Sequence, residues 1–306
     1  MNLLNQIIQG ILLGGYYAVL ACGVSFMFGV MRIINLAHGS LAVVAAYGVF
    51  VLADRYGVNP GLGLLIVMPA MAVVGWILHR LVLERSARAG ELVPILATFG
   101  LAVVLDNTLF ATFGADTRSL APYIDTLSYD SIDIGPITVG TLSVLMLAVA
   151  VAMLGCLHLF LKHTAMGRRI RAVADDPASA QLVGVDAKQV NAVAVAIAMV
   201  TVAVAGVFLA MRETVDPYAG APQLIFAFEA VMIGGLGSLW GTLWGGIALG
   251  VAQSLGAELY SQGFLIAGHL LFLCVLLARL LFSGFSLRAV FTRRFTRRLT
   301  RSAPIR

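Results

Sequence analysis

Nine stretches of this chain, at roughly 4–30, 36–53, 61–83, 93–114, 137–161, 190–211, 222–238, 239–257 and 264–282, stay apolar over about the length that crosses a bilayer. No water reaches the hydrocarbon core, so backbone N–H and C=O groups there must pair within their own segment, and each stretch is predicted to be an α-helix. The fold class that follows is all-α: a polytopic transmembrane helical bundle of about eight or nine spans. The last three stretches are short or interrupted by glycine, which makes one of them a half-span candidate. Composition agrees, with 60% of the 306 residues hydrophobic and 11% charged, against roughly 45–50% and about 25% in an ordinary soluble domain.

Lys and Arg accumulate on cytoplasmic connections, and their distribution predicts the orientation. Segment 79–91 carries Arg80, Arg85 and Arg88, and segment 162–190 carries Lys162, Arg168, Arg169, Arg171 and Lys188. The tail after Phe285 holds seven Arg and no acid. Connection 115–135, by contrast, sets Asp116, Asp125, Asp130 and Asp133 against Arg118 alone, while 54–59 is balanced and 212–216 is net acidic. The N-terminus is therefore expected outside and the C-terminus in the cytoplasm, with Arg32 in the first cytoplasmic turn. No Lys or Arg precedes Arg32, so the first stretch reads as a retained span rather than a cleaved signal peptide. Cys22, Cys156 and Cys274 stand alone inside apolar stretches and are expected to pack as small apolar residues.

Enzymatic machinery is not in view. The only lysines, Lys162 and Lys188, follow no glycine-rich phosphate-binding loop, and there is no HExxH motif or Cys/His cluster. No catalytic residue, metal site or cofactor is expected in this chain, and nothing suggests nucleic-acid binding.

Ionisable groups at membrane depth cost several kcal/mol unless they face protein or water, which makes each a functional candidate. Asp106 and Glu229 qualify, with Asn35, His38, Asn107, Gln253 and His269 as uncharged companions. They read either as the lining of a polar cavity open to the outside or as structural groups bonded to neighbouring helices. Gly237, Gly241 and Gly245 recur every four residues, as do Gly10 and Gly14, a spacing that lets helix backbones approach in lipid. The tighter cluster "GGLGS" also permits a helix break that exposes backbone dipoles, as does "RIINLAHGS".

The polar segment "HTAMGRRIRAVADDPASAQLVGVDAKQV" contains a helix "MGRRIRAVAD", then Asp176 as a cap, Pro177 at the first position of a short helix and Gly184 at its end. A helix of about two turns is marginal alone in water, so its own membrane helices, the headgroup surface or a partner must support it. Ala180, Leu182 and Val183 form a small apolar ridge suited to a protein groove. After Phe285, "RAVFTRRFTRRLTR" places Phe291, Phe295 and Leu299 one turn apart among arginine pairs, a pattern suited to a helix on anionic lipid or to a disordered anchor.

In order along the chain, "GILLGGYYAVLACGVSFMFGVMRIINLAHGSLAVVAAY", "ATFGLAVVLDNTLFATFG", "MGRRIRAVADDPASAQLVGVDAKQV" and "VMIGGLGSLWGTLWGGIALGVAQSL" resemble the permease subunits, of the H type, of branched-chain amino acid ABC importers. The resemblance implies a permease domain over 1–284 with a cytoplasmic coupling loop at 162–190, followed by the Arg-rich tail 285–306. It implies a bacterial inner-membrane, multi-pass location. It also implies a second homologous permease, two cytoplasmic ATPase subunits that bind the ATP, and an external solute-binding protein as partners. Asp176, Pro177, Ala180, Leu182, Val183 and Gly184 would then couple to the ATPase, and Asn35, His38, Asp106, Asn107 and Glu229 are candidates to line the substrate path. Leucine-type amino acids, urea or short amides and other small carboxylates are the substrates that such relatives handle. Without the resemblance, an ion-driven secondary transporter and an assembly subunit stay open.

Overall fold

The computed structural model describes residues 3–90, 92–134, 137–260 and 262–282, so the Arg-rich tail expected on anionic lipid lies outside the described residues. Twelve α-helices follow one another: α1 (Leu3–Met31), α2 (His38–Tyr56), α3 (Pro60–Leu78), α4 (Glu84–Ala89), α5 (Val93–Phe113), α6 (Thr141–His163), α7 (Ala165–Asp175), α8 (Pro177–Leu182), α9 (Ala187–Arg212), α10 (Gly220–Gly234), α11 (Leu239–Leu259) and α12 (Gly263–Phe282). A π-helical turn over His79–Leu83 joins α3 to α4 without a break in the coil. One departure from an all-helical chain is a small antiparallel hairpin, β1 (Ser131–Ile134) with β2 (Ile137–Gly140), in register Ser131↔Gly140 to Ile134↔Ile137. The stretch expected as helix from residue 137 therefore starts as a strand and turns helical only at Thr141.

Among the described residues seven helices, counting Pro60–Ala89 as one, are long and apolar enough to cross a membrane, or eight if α10 and α11 count as one bent span. The stretches 222–238 and 239–257, two of the three among which a half-span is expected, form a pair bent by 114°. The break falls in "GGLGS", where Gly235 has φ +103° and Gly237 φ +80°, conformations that side-chain-bearing residues rarely adopt. With 15 residues α10 extends about 22 Å, short of a bilayer core of about 30 Å.

The centre of the bundle is α1, 83% of whose apolar window is buried; only 6% of that of α12 is, which puts α12 at the periphery. Close approach explains the core. Glycines 10 and 14 of α1 face Gly246, Ile247, Gly250 and Val251 of α11 so tightly that a methyl group on any of the four glycines would overlap backbone atoms. Hydrophobic burial drives little helix association within lipid, and such backbone contact supplies dispersion instead. Gly241 and Gly245 pack in the same way on Gly234 and Ala230 of α10, while Gly237 belongs to the break and rests against Gly29. The four-residue glycine pattern thus serves two interfaces and one turn. Cys22 is buried as expected, but Cys156 and Cys274 are exposed, because they sit on the outer faces of peripheral helices.

Helix α2 does not start at the end of α1. Arg32, at φ +54°, turns the chain back on itself, and residues 33–37 run inward until His38 reaches Leu20 of α1, its Nε2 donating to the Leu20 carbonyl at 2.9 Å. Leu20 lies about eleven residues, or roughly 16 Å, from the end of α1. At that depth the first turn of α2 meets the first turn of α10, with Gly39 and Ser40 against Gly220. Two helix N-termini therefore meet inside the bundle.

Candidate functional site

The polar segment folds through its capping residues. Oγ1 of Thr164 accepts from the Gly167 N–H at 2.9 Å and donates to the Phe160 carbonyl at 2.7 Å, so α7 leaves α6 through a tight corner. Gly167, Ile170 and Val173 recur every three residues and are buried, while Arg168, Arg169 and Arg171 point to solvent. Asp176 then caps α8, its Oδ1 accepting from the N–H groups of Ala178 (3.0 Å) and Ser179 (3.2 Å), with Pro177 at the first position. The Ser179 hydroxyl, and after it the two backbone N–H groups, hold the Asp176 carboxyl below the usual carboxylate range. Gly184, at φ +82°, ends the turn, and the Val185 N–H returns to the Ala180 carbonyl. Asp186 caps α9, and Lys188 lies 3.6 Å from Glu84, which ties the segment to the 79–91 connection.

In this turn Ala180 is buried (4% exposed) and anchors α8, whereas Leu182 (88%) and Val183 (79%) project outward. Two apolar side chains are thus held exposed by a helix fixed mainly through its caps. Asp176→Ala is expected to raise amide hydrogen exchange across 177–183 while leaving the membrane helices unchanged. Acid should act in the same direction. The folded carboxyl titrates below its unfolded value of about 3.9, so its stabilising effect is present above that value and is lost as pH falls through the lower folded one.

The five path candidates lie in three separate places. Asn35 and His38 are buried where the chain re-enters: Oδ1 of Asn35 accepts from the Ala37 N–H at 3.0 Å, and the Leu36 N–H donates to Oγ1 of Thr98 on α5. Glu229 is buried on α10 and takes Nδ1 of His269 on α12 at 2.5 Å, with the Phe226 ring stacked on that imidazole. Beside this pair, Tyr17 donates to Gln253 at 2.5 Å, and Tyr16 donates to Gln223 at 2.7 Å. These groups are bonded within the bundle, yet Nδ2 of Asn35, Nδ1 of His38, Oε2 of Glu229 and Nε2 of Gln253 are buried without a hydrogen-bond partner among the described residues.

Asp106 and Asn107 differ from them, because α5 leaves most of its surface open. Asp106 lies beside Ser40 in the first turn of α2, and Asn107 accepts from Tyr218 at 3.4 Å. Thr108 and Thr112 continue the polar stripe, each hydroxyl donating to the carbonyl four residues back, which is how such groups are satisfied at membrane depth. The stripe lies on the exposed side of the bundle, next to the point where α2 and α10 begin. Tyr16, Tyr17, Gln223, Thr98 and Tyr218 were not singled out from sequence. The tandem "YY" within an apolar run was the available signal, since a buried phenol needs a partner.

The ends of the bundle sort by charge. Lys188 with Glu84 joins the two basic connections at one end, and the 2.9 Å hydrogen bond from Tyr123 to Asp54 and the backbone bridge Arg118↔Val215 join the acidic ones at the other. Among the described residues no group of three or more His, Cys, Asp or Glu could hold a metal ion.

A family model described as "Branched-chain amino acid transport system / permease component" matches residues 6–282. The chain is 26% identical over 285 residues to the high-affinity branched-chain amino acid transport system permease protein BraD of Pseudomonas aeruginosa, covering 89% of this chain and 93% of that one. It is 28% identical over 273 residues to the LivH permease of the same description from Escherichia coli, covering 85% and 88%. It is 29% identical over 258 residues to the fructose import permease protein FrcC of Rhizobium meliloti, covering 79% and 69%. No solved structure matches.

Proposed function

The chain belongs to the branched-chain amino acid transport permease family of multi-pass inner-membrane ABC transporter subunits, and from that premise we propose that it forms half of the membrane path of an ATP-driven importer for branched-chain or other small amino acids. In this reading the basic end is cytoplasmic and the acidic end is external. The N-terminus lies outside, the C-terminus inside, and a solute-binding protein docks on the acidic end. Two ATPase subunits take α8 into a groove, and a second homologous permease faces the α5 stripe.

The single observation that carries the proposal is the exposed pair Leu182 and Val183, held on a capped helix at the basic end. An apolar pair so fixed suits a rigid partner, and ATP enters as differential stabilisation of two arrangements of that partner. The polar stripe of α5 supports the second permease, because Asn107, Thr108 and Thr112 are exposed on the outside of the subunit, with Asp106 half-buried beside them against Ser40. A substrate path there is completed only by another protein, and its amide and carboxylate groups suit a zwitterionic solute.

The test is purification of the tagged chain in mild detergent, then reconstitution with the proteins that accompany it. Recovery of an ATPase and a second permease, with leucine uptake that needs ATP and binding protein, is the expected result. Uptake of urea or short amides in place of leucine would change the substrate. Uptake without any ATPase, collapsing with the proton gradient, would make the chain a secondary transporter. In the reconstituted importer Asp106→Asn is expected to reduce uptake roughly tenfold at unchanged thermal stability, as for one lost charge-assisted hydrogen bond of about 1.5 kcal/mol.

A further inference from the structure

At the basic end, a cavity of about 620 Å³ opens between the last turns of α1 and α6, the inner face of α7 and the break between α10 and α11. Its floor is apolar, made by Phe26, Val30, Leu161, Ile170 and Leu239. Lys162 and Arg171 stand on its rim, with His158 and one acid, Asp175. Neither Lys162 nor Arg171 has a carboxylate within 4.0 Å among the described residues. The 21-residue helix α11 starts in the cavity: Ser238 takes the Gly241 N–H, and the N–H groups of Leu239 and Trp240 begin the helix with no protein partner. The α7 segment and α11 thus bring two free cations and a helix N-terminus to one apolar hollow.

We propose that this cavity binds one anionic phospholipid, its phosphate between Lys162, Arg171 and the start of α11 and its glycerol and upper chains on the apolar floor. Level and charge together choose this occupant. Trp240 and Trp244, one turn apart on α11, are exposed beside the cavity, and tryptophans in that position mark the headgroup layer of a bilayer. Its walls include α1 and α6, both long and apolar enough to cross a membrane, which brings the cavity within reach of lipid, whereas Leu182 and Val183 project from the next turn of the polar segment. A soluble anion would leave the floor unfilled; a protein would have to reach below the headgroups. The bound lipid touches α7 and Gly237 at once, so it braces the coupling segment against the bend between α10 and α11.

The experiment uses the intact importer in vesicles of phosphatidylcholine with or without phosphatidylglycerol, followed by detergent extraction and native mass spectrometry. The wild-type assembly should retain one phosphatidylglycerol per copy of this chain. Lys162→Gln with Arg171→Gln should lower that retention roughly tenfold or more, since each cation at an anionic membrane surface contributes about a fivefold change. Arg293→Gln with Arg294→Gln should not. Phosphatidylglycerol should also stimulate uptake by the wild type more than by the first variant. To guard against misfolding, phosphatidylglycerol carrying a photoreactive headgroup is crosslinked to the wild type, and the labelled peptides should cover 158–175 or 237–240. Labelling confined to 285–306, full retention by the Lys162/Arg171 variant, or displacement by millimolar inorganic phosphate would each overturn the lipid site, the last in favour of a free anion. Leucine uptake by the wild type in pure phosphatidylcholine tests the importer reading separately.

Discussion

Leu182→Asp combined with Val183→Asp is expected to reduce ATP-driven uptake by more than about a hundredfold while the permease still folds and reaches the membrane. Both side chains stand in water in the isolated subunit, so their replacement removes no internal contact. Burial of two such side chains in a partner's groove is worth about 1.5–3 kcal/mol each, and placing a carboxylate in that groove adds desolvation on top. The measurement is uptake by reconstituted vesicles beside ATPase recovery in pull-down, and both should fall together. Normal uptake with well-expressed variant protein would sink the coupling role of this segment. Gly184 is a poorer probe, because at φ +82° any side chain strains the backbone and confounds loss of docking with loss of the turn.

Gly250→Val should have the second large effect, and it should act on folding. A side chain at 250 has nowhere to go: its first carbon would overlap the Gly10 carbonyl and crowd the Gly14 backbone, so α1 and α11 must part along their whole contact. Overpacking costs typically 1–3 kcal/mol where side chains can yield, and backbone yields less. The thermal midpoint of the folded, monodisperse protein by size-exclusion chromatography is expected to fall by several degrees or more, as for a loss of about 3 kcal/mol out of the roughly 5–15 kcal/mol that holds a native protein together. Gly155→Val on α6 is the control, since a Cβ there meets nothing within 4 Å. Equal loss in both variants would mean that valine itself, rather than the α1–α11 approach, is responsible.

Reading a linear chain locates helices in lipid well, because the bilayer forces each apolar run to satisfy its own backbone. Most of the helices were legible for that reason, and so were the caps of the polar segment: Asp176, Pro177 and Gly184 act through neighbours two or three residues away, within reach of a local pattern. Among the described residues the basic connections 79–91 and 162–190 touch through Lys188 and Glu84, and the connections 54–59 and 115–135 through Asp54 and Tyr123. The hairpin over 131–140 was missed, since Ile137 and Val139 look alike in a strand and at the start of an apolar helix.

Where the polar membrane residues go is another matter. Glu229 is a path candidate whose partner, the half-exposed His269, lies forty residues later, and Asn35 and His38 are buried where the chain doubles back at Arg32. Of the intramembrane set, Asn107 and His269 are exposed, and Asp106 is half-buried. The sequence by itself determined that this chain is a bundle of membrane helices with a capped polar segment at its basic end, because hydropathy and capping are local properties. A half-span among the last three stretches and a break at "GGLGS" were legible as well; only the tertiary structure decided that α10 meets α2 inside the bundle and that Asn107, Thr108 and Thr112 of α5 face outward. Those outcomes depend on glycine backbones from distant helices arriving within contact of one another, a long-range packing choice that no single segment encodes.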